Sequence, residues 1–435
     1  MHLRSAYDRE IFRLAVPALG ALAAEPLYVL VDTAIVGHLG RSQLAALGAA
    51  ATVLAVLGMF NFLQYATTAQ VARATGAKED VVARQLGAQA FWLSLTIGLA
   101  LAGALAVLAP QVVSLVGVEG GTADYAETYL RIVALGVPSF FLALSGQGFL
   151  RGRSELTAPL VVIVLGNVLN VALEVMFVYG FGWGIEGSAW GTAIAQTCMG
   201  AGFVWLIVTR AGRRNMAPVG RLARRLLSVG KFIFIRTFAL ISAFVLAGAV
   251  VARFGDAELA AYQISFQLFL FLALALALDA IAIAGQILVG RELGAGRPER
   301  AYAASVRMIS LSVVTGGAFA VALLALSSVL PQLFSSDPAV LAECAALWPI
   351  FALLQPVSGA VFALDGILIG ASDGPYIAAS MAVAFAACAT CLGLAIVGDW
   401  GVRGVWGALA ALILVRAATM GARFARRRWL VTGWA

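Results

Sequence analysis

The sequence repeats one stretch in its two halves: PSFFLALSGQGFLRGRSE at 138–155 and PVSGAVFALDGILIGASD at 356–373. The two copies share a leading proline, a pair of glycines four residues apart and a serine near the end. Arg73 and Arg291 match at nearly the same separation, which is about half the length of the chain. Several regions that repeat in one register predict two lobes of the same architecture.

The composition restricts the chain to a membrane. Of its 435 residues, 62% are hydrophobic and 12% are charged, and the mean hydropathy is +0.95. A water-soluble domain has about 25% charged residues, and a soluble protein this apolar would expose large patches that aggregate. The apolar runs are too long for a β-barrel, whose strands alternate with a period of two. The four cysteines lie within apolar runs and are interpreted as packing residues.

The apolar runs predict an all-α membrane protein with twelve transmembrane helices, because a helix needs about 20 residues to cross the bilayer. Six helices in each half make the halves parallel repeats, which is typical of transporters. We predict an N-terminal lobe at 1–211, a cytoplasmic linker at 212–228 and a C-terminal lobe at 229–435. Pro138 and Pro356 are predicted to lie in the middle of a helix. The predicted spans are 10–38, 44–72, 86–110, 124–150, 156–180, 184–209, 229–254, 259–290, 302–328, 340–370, 376–398 and 403–424.

The basic residues indicate the orientation of these spans. With both termini in the cytoplasm, 21 of the 29 Lys and Arg residues fall on the cytoplasmic side and 3 on the outside. This asymmetry agrees with the positive-inside rule. The formal net charge of +7 is therefore interpreted as a cytoplasmic rim in the plasma membrane, and we expect no binding of nucleic acid.

Five acidic residues lie well inside predicted spans, where a charge costs about 2.5–3.5 kcal/mol on insertion scales. They are Glu25, Asp32, Glu174, Asp279 and Asp365. An acid held at that cost among oxygen donors can bind a proton or a bare cation. The alternative is a hydrogen-bonded network that only holds helices together. Arg236 and Arg307 are predicted to extend to the nearby cytoplasmic interface.

Polar residues follow the acids at helical spacing. Asn167, Asn170 and Glu174 form one stripe, and Thr192 and Gln196 form another. A further set of residues is assigned to a substrate site or a secondary ion site. Its members are Glu25, Tyr28, Asn61, Gln64, Asn167, Gln196, Asp279 and Asp365.

Three stretches resemble the MATE (multidrug and toxic compound extrusion) family in its DinF-like branch: EPLYVLVDTAIVGHLG at 25–40, LALDA at 276–280 and ALDG at 363–366. The resemblance covers nearly the whole chain. It implies two six-helix lobes and a secondary antiporter that exports organic, often cationic or amphipathic drugs or toxins in exchange for H+ or Na+ by alternating access. It implies no enzymatic activity and no cofactor, and we expect a monomer in the lipid bilayer.

The resemblance also implies the ion-coupling residues. The family's coupling aspartate maps onto Asp32, and Asn170, Glu174 and Thr192 map around it, where Na+ is an alternative to H+. Glu174 stands where relatives have aspartate. Arg236 lies near the position of a glutamate found in the NorM-like branch, although Asp365 matches that branch. These two departures favour H+.

Two other functions stay open at this point. One is a lipid-linked precursor flippase of the same superfamily, and the other is a non-transporting membrane scaffold. The sequence has no phosphate-binding GxxxxGK[ST] loop, and His2 and His38 are its only histidines. We therefore expect an ion gradient, rather than nucleotide hydrolysis, to drive transport.

Overall fold

The computed structural model describes residues 7–271 and 278–434, apart from the side chain of Glu25, and this part of the chain is helical with no strand. A 3₁₀ turn (Val56–Asn61) joins α2 to α3, and a π-helical turn (Val175–Gly180) follows α7. The described helices are α1 Asp8–Gly37, α2 Arg41–Ala55, α3 Phe62–Gly76, α4 Asp80–Val116, α5 Gly121–Ala134, α6 Val137–Gly152, α7 Thr157–Glu174, α8 Gly184–Ala211, α9 Gly220–Val251, α10 Asp256–Leu270, α11 Leu278–Gly294, α12 Pro298–Ala325, α13 Pro338–Leu353, α14 Gln355–Gly370, α15 Gly374–Val397 and α16 Gly401–Ala425.

Within the described ranges, nine helical segments are long and apolar enough to cross a membrane. Two bent pairs, α5 with α6 and α13 with α14, raise this number to eleven when each pair counts as one span. The predicted span 259–290 contains residues 272–277, which lie outside the described residues, and α10 and α11 flank them. The predicted fold class, an all-α integral membrane protein, is confirmed, and the chain is a multi-pass membrane protein.

Both repeated prolines begin helices, so the prediction that they lie in mid-helix was wrong. Pro138 is in the first turn of α6 and Pro356 is in the first turn of α14. The spans that contain them bend by 51° and 47°. Proline has no N–H to donate to the preceding turn and its ring crowds that turn, whereas the first turn of a helix tolerates it.

The described chain forms two compact units, and the junctions between them fall inside α1 and α9. The N-terminal unit is Gly20–Gly230, and the C-terminal unit is Met1–Leu19 with Lys231–Ala435. The beginning of α1 thus belongs to the C-terminal unit, and the division into lobes at 1–211 and 229–435 stays a prediction.

Ion pairs hold the beginning of α1 within the C-terminal unit. Arg307 donates to both carboxylate oxygens of Asp8, at 2.6 and 2.9 Å, and Arg291 donates to Glu10. Arg307 thus pairs with the first residue of α1, and its predicted extension to the cytoplasmic interface stays a prediction.

The repeated glycines bring helix backbones together in each unit. In the N-terminal unit, a Cβ at Gly148 of α6 would lie 2.7 Å from the Gln64 carbonyl oxygen of α3. In the C-terminal unit, a Cβ at Gly366 of α14 would lie 2.2 Å from the Ala282 carbonyl oxygen of α11. The two copies of the repeated stretch therefore make equivalent close helix contacts, as small residues do in membrane bundles.

The loop between α6 and α7 is held by an acid with two basic partners. Arg210 donates to Glu155 at 2.9 Å and Arg153 donates to it at 3.1 Å. Partial burial raises the pKa of the Glu155 carboxyl, but the hydrogen bonds from Arg210 and Arg153 outweigh it and lower this pKa below its ordinary value of 4.5. The interaction therefore stabilises the fold above pH 4.5 and is lost as the pH falls through the folded-state pKa.

We expect Glu155→Gln to lower the free energy of unfolding at pH 7 by about 0.2–1 kcal/mol, the range for partly exposed ion pairs. The difference from wild type should shrink below pH 4.5, where the wild-type carboxyl also takes up a proton. Thermal unfolding of the detergent-solubilised proteins from pH 7 to pH 4 measures both effects. A difference that did not change with pH would contradict this account.

Candidate functional site

Two buried acidic side chains meet inside the N-terminal unit. Asp32 of α1 is 6% exposed, and Glu174, the last residue of α7, is 0% exposed. They contact two side chains that lie one turn apart on α8, Ser188 and Thr192, which places the two carboxyl groups next to each other. Because two neighbouring carboxylates repel, such a pair can hold one proton between its oxygens or bind one small cation.

Neutral side chains of α7 and α8 surround the acid pair. Ser188 donates to Asp32 at 2.8 Å, and Thr192 donates to Glu174 at 3.3 Å. Asn170 in turn donates to the Thr192 hydroxyl oxygen at 3.2 Å. The structure therefore brings together all four residues predicted for ion coupling: Asp32, Asn170, Glu174 and Thr192.

Two tyrosines border the same group of residues. The Tyr28 hydroxyl oxygen lies 3.3 Å from that of Thr192. Tyr129 of α5 is buried in the same unit, at 3% exposure. Tyr28 was predicted for a substrate or second ion site, and its position is one turn of α1 away from Asp32.

Two oxygen atoms of this cluster have no hydrogen-bond partner among the described residues. They are Oδ1 of Asn170 and Oε2 of Glu174, and both are buried. Buried polar atoms are almost always hydrogen-bonded, so an exception requires an explanation. Oxygen atoms of carboxyl and amide groups are suitable ligands for a proton or a hard cation. No group of three or more His, Cys, Asp or Glu residues that could hold a metal occurs in the described chain.

The backbone around Glu174 is irregular at this site. The α-helix ends at Glu174 and changes into the π-helical turn Val175–Gly180, and such turns are frequent at functional sites. On the facing helix, a Cβ at Gly191 would lie 2.9 Å from Cγ of Glu174, and a Cβ at Gly187 would lie 2.9 Å from the backbone of Phe177. These two glycines allow α8 to approach the turn closely.

Two of the predicted polar residues hold helices together outside the acid pair. Asn167 donates to the carbonyl oxygen of Ala24, which joins α7 to α1. Gln64 of α3 donates to Gln147 of α6 at 3.1 Å. These contacts support a structural role for Asn167 and Gln64.

Gln196 and Asn61 each have a buried side-chain oxygen with no hydrogen-bond partner in the described chain. Gln196 packs where α5 ends, since a Cβ at Gly136 would lie 2.6 Å from its Oε1. Asn61 ends the 3₁₀ turn that precedes α3. Among the described residues, neither side chain forms a hydrogen bond or ion pair with Asp32 or Glu174.

Asp365 of the C-terminal unit carries two arginine partners. Arg236 donates to its Oδ2, and Nη2 of Arg416 lies 3.3 Å from its Oδ1. The prediction that Arg236 extends to the interface was wrong, because sequence depth alone does not reveal a carboxylate on a neighbouring helix. Asp365 is therefore an ion-paired residue of the C-terminal unit.

The structure shows less about the surroundings of the two remaining predicted acids, Asp279 and Glu25. Asp279 lies in the first turn of α11 and is partly buried. Glu25 lies within α1, but its side chain is outside the described part of the structure.

Sequence reasoning missed Ser188, Tyr129 and Arg416. Ser188 stands one helical turn before Thr192, so extending the stripe of Thr192 and Gln196 backwards by four residues would have found it. Arg416 is a charged residue inside the last predicted span. The five acids were identified by the same feature, a charge within an apolar run. Tyr129 carries no comparable pattern in the sequence.

Comparisons with known proteins show the family of the chain. The MatE family model matches residues 17–176 and 233–394, one segment in each half of the chain. The chain belongs to the MATE family. This MATE protein is 32% identical over 388 residues to Protein DETOXIFICATION 44, chloroplastic, of Arabidopsis thaliana, with 86% of the chain and 74% of that relative covered. It is 28% identical over 448 residues to DNA damage-inducible protein F of Escherichia coli (strain K12), with 98% and 94% covered.

A solved structure described as an outward-facing conformation of a multidrug resistance MATE family transporter of the MOP superfamily shares the fold of this MATE protein. The TM-score is 0.86 at 19% identity, and 98% of each chain is covered. The family match and the relatives make this protein a member of the MATE family of multidrug efflux transporters.

Proposed function

We propose that this MATE transporter is a secondary antiporter that exports organic compounds in exchange for H+. The observation that carries the proposal is the buried pair Asp32 and Glu174 inside the membrane spans of the N-terminal unit. Loading one proton neutralises the pair, and release of that proton restores its charge. The ion can drive transport only because the two states of the carrier bind it with different affinity.

The surroundings of the two acidic sites support H+ over Na+. In the N-terminal unit, Oε2 of Glu174 is buried without a hydrogen-bond partner among the described residues, and a proton shared with Asp32 would satisfy it. In the C-terminal unit, both oxygens of Asp365 face guanidinium groups, so this carboxylate is already neutralised without Na+.

We propose further that the transporter lies in the plasma membrane with both termini in the cytoplasm, and that it acts as a monomer. The support for the orientation is the excess of Lys and Arg in the segments that would face the cytoplasm.

Purified protein in liposomes tests the coupling ion. An imposed pH gradient should collapse when an organic cation such as ethidium is added, and an imposed Na+ gradient at equal pH should not. Protein-free liposomes correct for leakage of the dye. Ethidium movement driven by the Na+ gradient alone would contradict H+ coupling, and movement driven by neither gradient would contradict antiport of this cation.

A further inference from the structure

Arg416 is a buried cation in the last membrane helix. It is 6% exposed. It lies nine residues before the end of α16, which is about 14 Å along the helix axis at 1.5 Å per residue. Its guanidinium therefore does not reach the cytoplasmic end of the span, and its low exposure shows that it points into the C-terminal unit.

The polar contacts of Arg416 leave most of its donors unused. A guanidinium has five N–H donors. Within the described chain, its side chain has one polar contact, the approach of Nη2 to Oδ1 of Asp365 at 3.3 Å. That approach lacks the geometry of a hydrogen bond, because Oδ1 of Asp365 is buried without a hydrogen-bond partner.

The neighbouring acid is already neutralised by another arginine. Arg236 donates directly to Oδ2 of Asp365. Asp279, the other acid predicted for the spans of this unit, is not among the contacts of Arg416. Arg416 thus has a charge that its surroundings match only in part, at a depth where an ionised side chain normally has a partner.

We propose that Arg416 binds a carboxylate of the transported compound inside the C-terminal unit. This inference rests on the proposed transport function and adds compounds that carry a carboxylate, organic anions or zwitterions, to its substrates. The planar fork of a guanidinium matches the two oxygens of a carboxylate in a bidentate, charge-assisted pair. Arg236 donates to Oδ2 of Asp365, so the carboxylate of the protein holds Arg416 only through the longer approach of its Oδ1.

The test uses two aromatic compounds of nearly equal shape, 1-naphthoate and its uncharged amide, 1-naphthamide. Binding to the detergent-solubilised full-length protein is measured from the rise in the thermal unfolding midpoint with ligand concentration. We expect 1-naphthoate to raise the midpoint and 1-naphthamide to have little effect. Arg416→Gln should weaken 1-naphthoate binding at least about tenfold, as the loss of a charge-assisted pair predicts.

Two further variants serve as controls for the effect of Arg416→Gln on 1-naphthoate binding. Arg403→Gln removes an exposed arginine from the same helix and should bind 1-naphthoate like wild type. Arg416→Lys retains the charge but not the fork, so it should bind with intermediate affinity. The unfolding midpoint without ligand shows that each variant is folded, and Arg236 still pairs with Asp365 when Arg416 is replaced.

The outcomes separate this inference from the proposed antiport. Equal binding of 1-naphthoate to wild type and folded Arg416→Gln would overturn it, as would no stabilisation of wild type or an equal response to inorganic phosphate. Asp32→Asn should still bind 1-naphthoate. Failure of H+ coupling with retained binding would therefore contradict the antiport proposal alone.

Discussion

Replacing Asp32 with Asn is expected to reduce transport driven by a pH gradient in liposomes to less than about a tenth of wild type, because a ligand without differential affinity shifts no equilibrium. Asparagine keeps the size of the side chain and can still hydrogen-bond to Ser188, but it cannot gain or lose a proton. The acid pair would then lack one of its two carboxyls. The measurement is the initial rate of ethidium-dependent proton flux from liposomes with equal amounts of protein.

Two variants serve as matched comparisons for Asp32→Asn. Glu174→Gln should cause a similar loss, because Glu174 is the other member of the pair. Glu186→Gln removes an exposed acid from the first turn of α8 and should leave the flux unchanged. Full gradient-driven flux in Asp32→Asn would rule out the proposed role of this carboxyl.

Replacing Gly366 with Ala is expected to prevent stable folding of the C-terminal unit. The new Cβ would lie 2.2 Å from the carbonyl oxygen of Ala282 and 2.7 Å from two further backbone atoms of that residue. Backbone atoms of a packed helix cannot rotate away as a side chain can, so α14 and α11 must separate. We expect a destabilisation of about 3 kcal/mol or more, at the upper end for overpacked cores. Yield and thermal midpoint after purification measure this effect.

Gly393→Ala is the control for Gly366→Ala. Gly393 also lies in a helix of the C-terminal unit, α15, and a Cβ there has nothing within 4 Å. Alanine is about 1 kcal/mol more favourable than glycine inside a helix, so this variant should be as stable as wild type or slightly more so. Equal yield and stability of the two variants would contradict the close contact between α14 and α11.

The acids of the N-terminal site could be predicted because charge is rare inside apolar spans and therefore conspicuous. Asp32 and Glu174 were found in this way, and helical spacing added Asn170 and Thr192. Ser188 escaped because a serine in a membrane helix is common and usually bonds to its own backbone. The partner of an acid across the bundle depends on how helices pack, which one sequence does not specify.

In the C-terminal unit, too, the partners of a buried acid could not be predicted from the sequence. Asp365 was visible as an acid inside a span, but its pairing with Arg236 and Arg416 joins three helices that are far apart in the chain. The bends at the repeated prolines are a local effect, and the first-turn preference of proline could have revealed them.

The acid pair of the N-terminal unit also determines the electrical behaviour of the proposed cycle. A pair that carries one exchangeable proton moves one positive charge inward in each turnover. Export of a monovalent cation in the same turnover cancels that charge, so the membrane voltage has no influence on the rate. Export of a carboxylate adds to it, and two charges then cross per turnover. An inside-negative membrane potential would thus accelerate the export of acids and leave the export of cations unaffected.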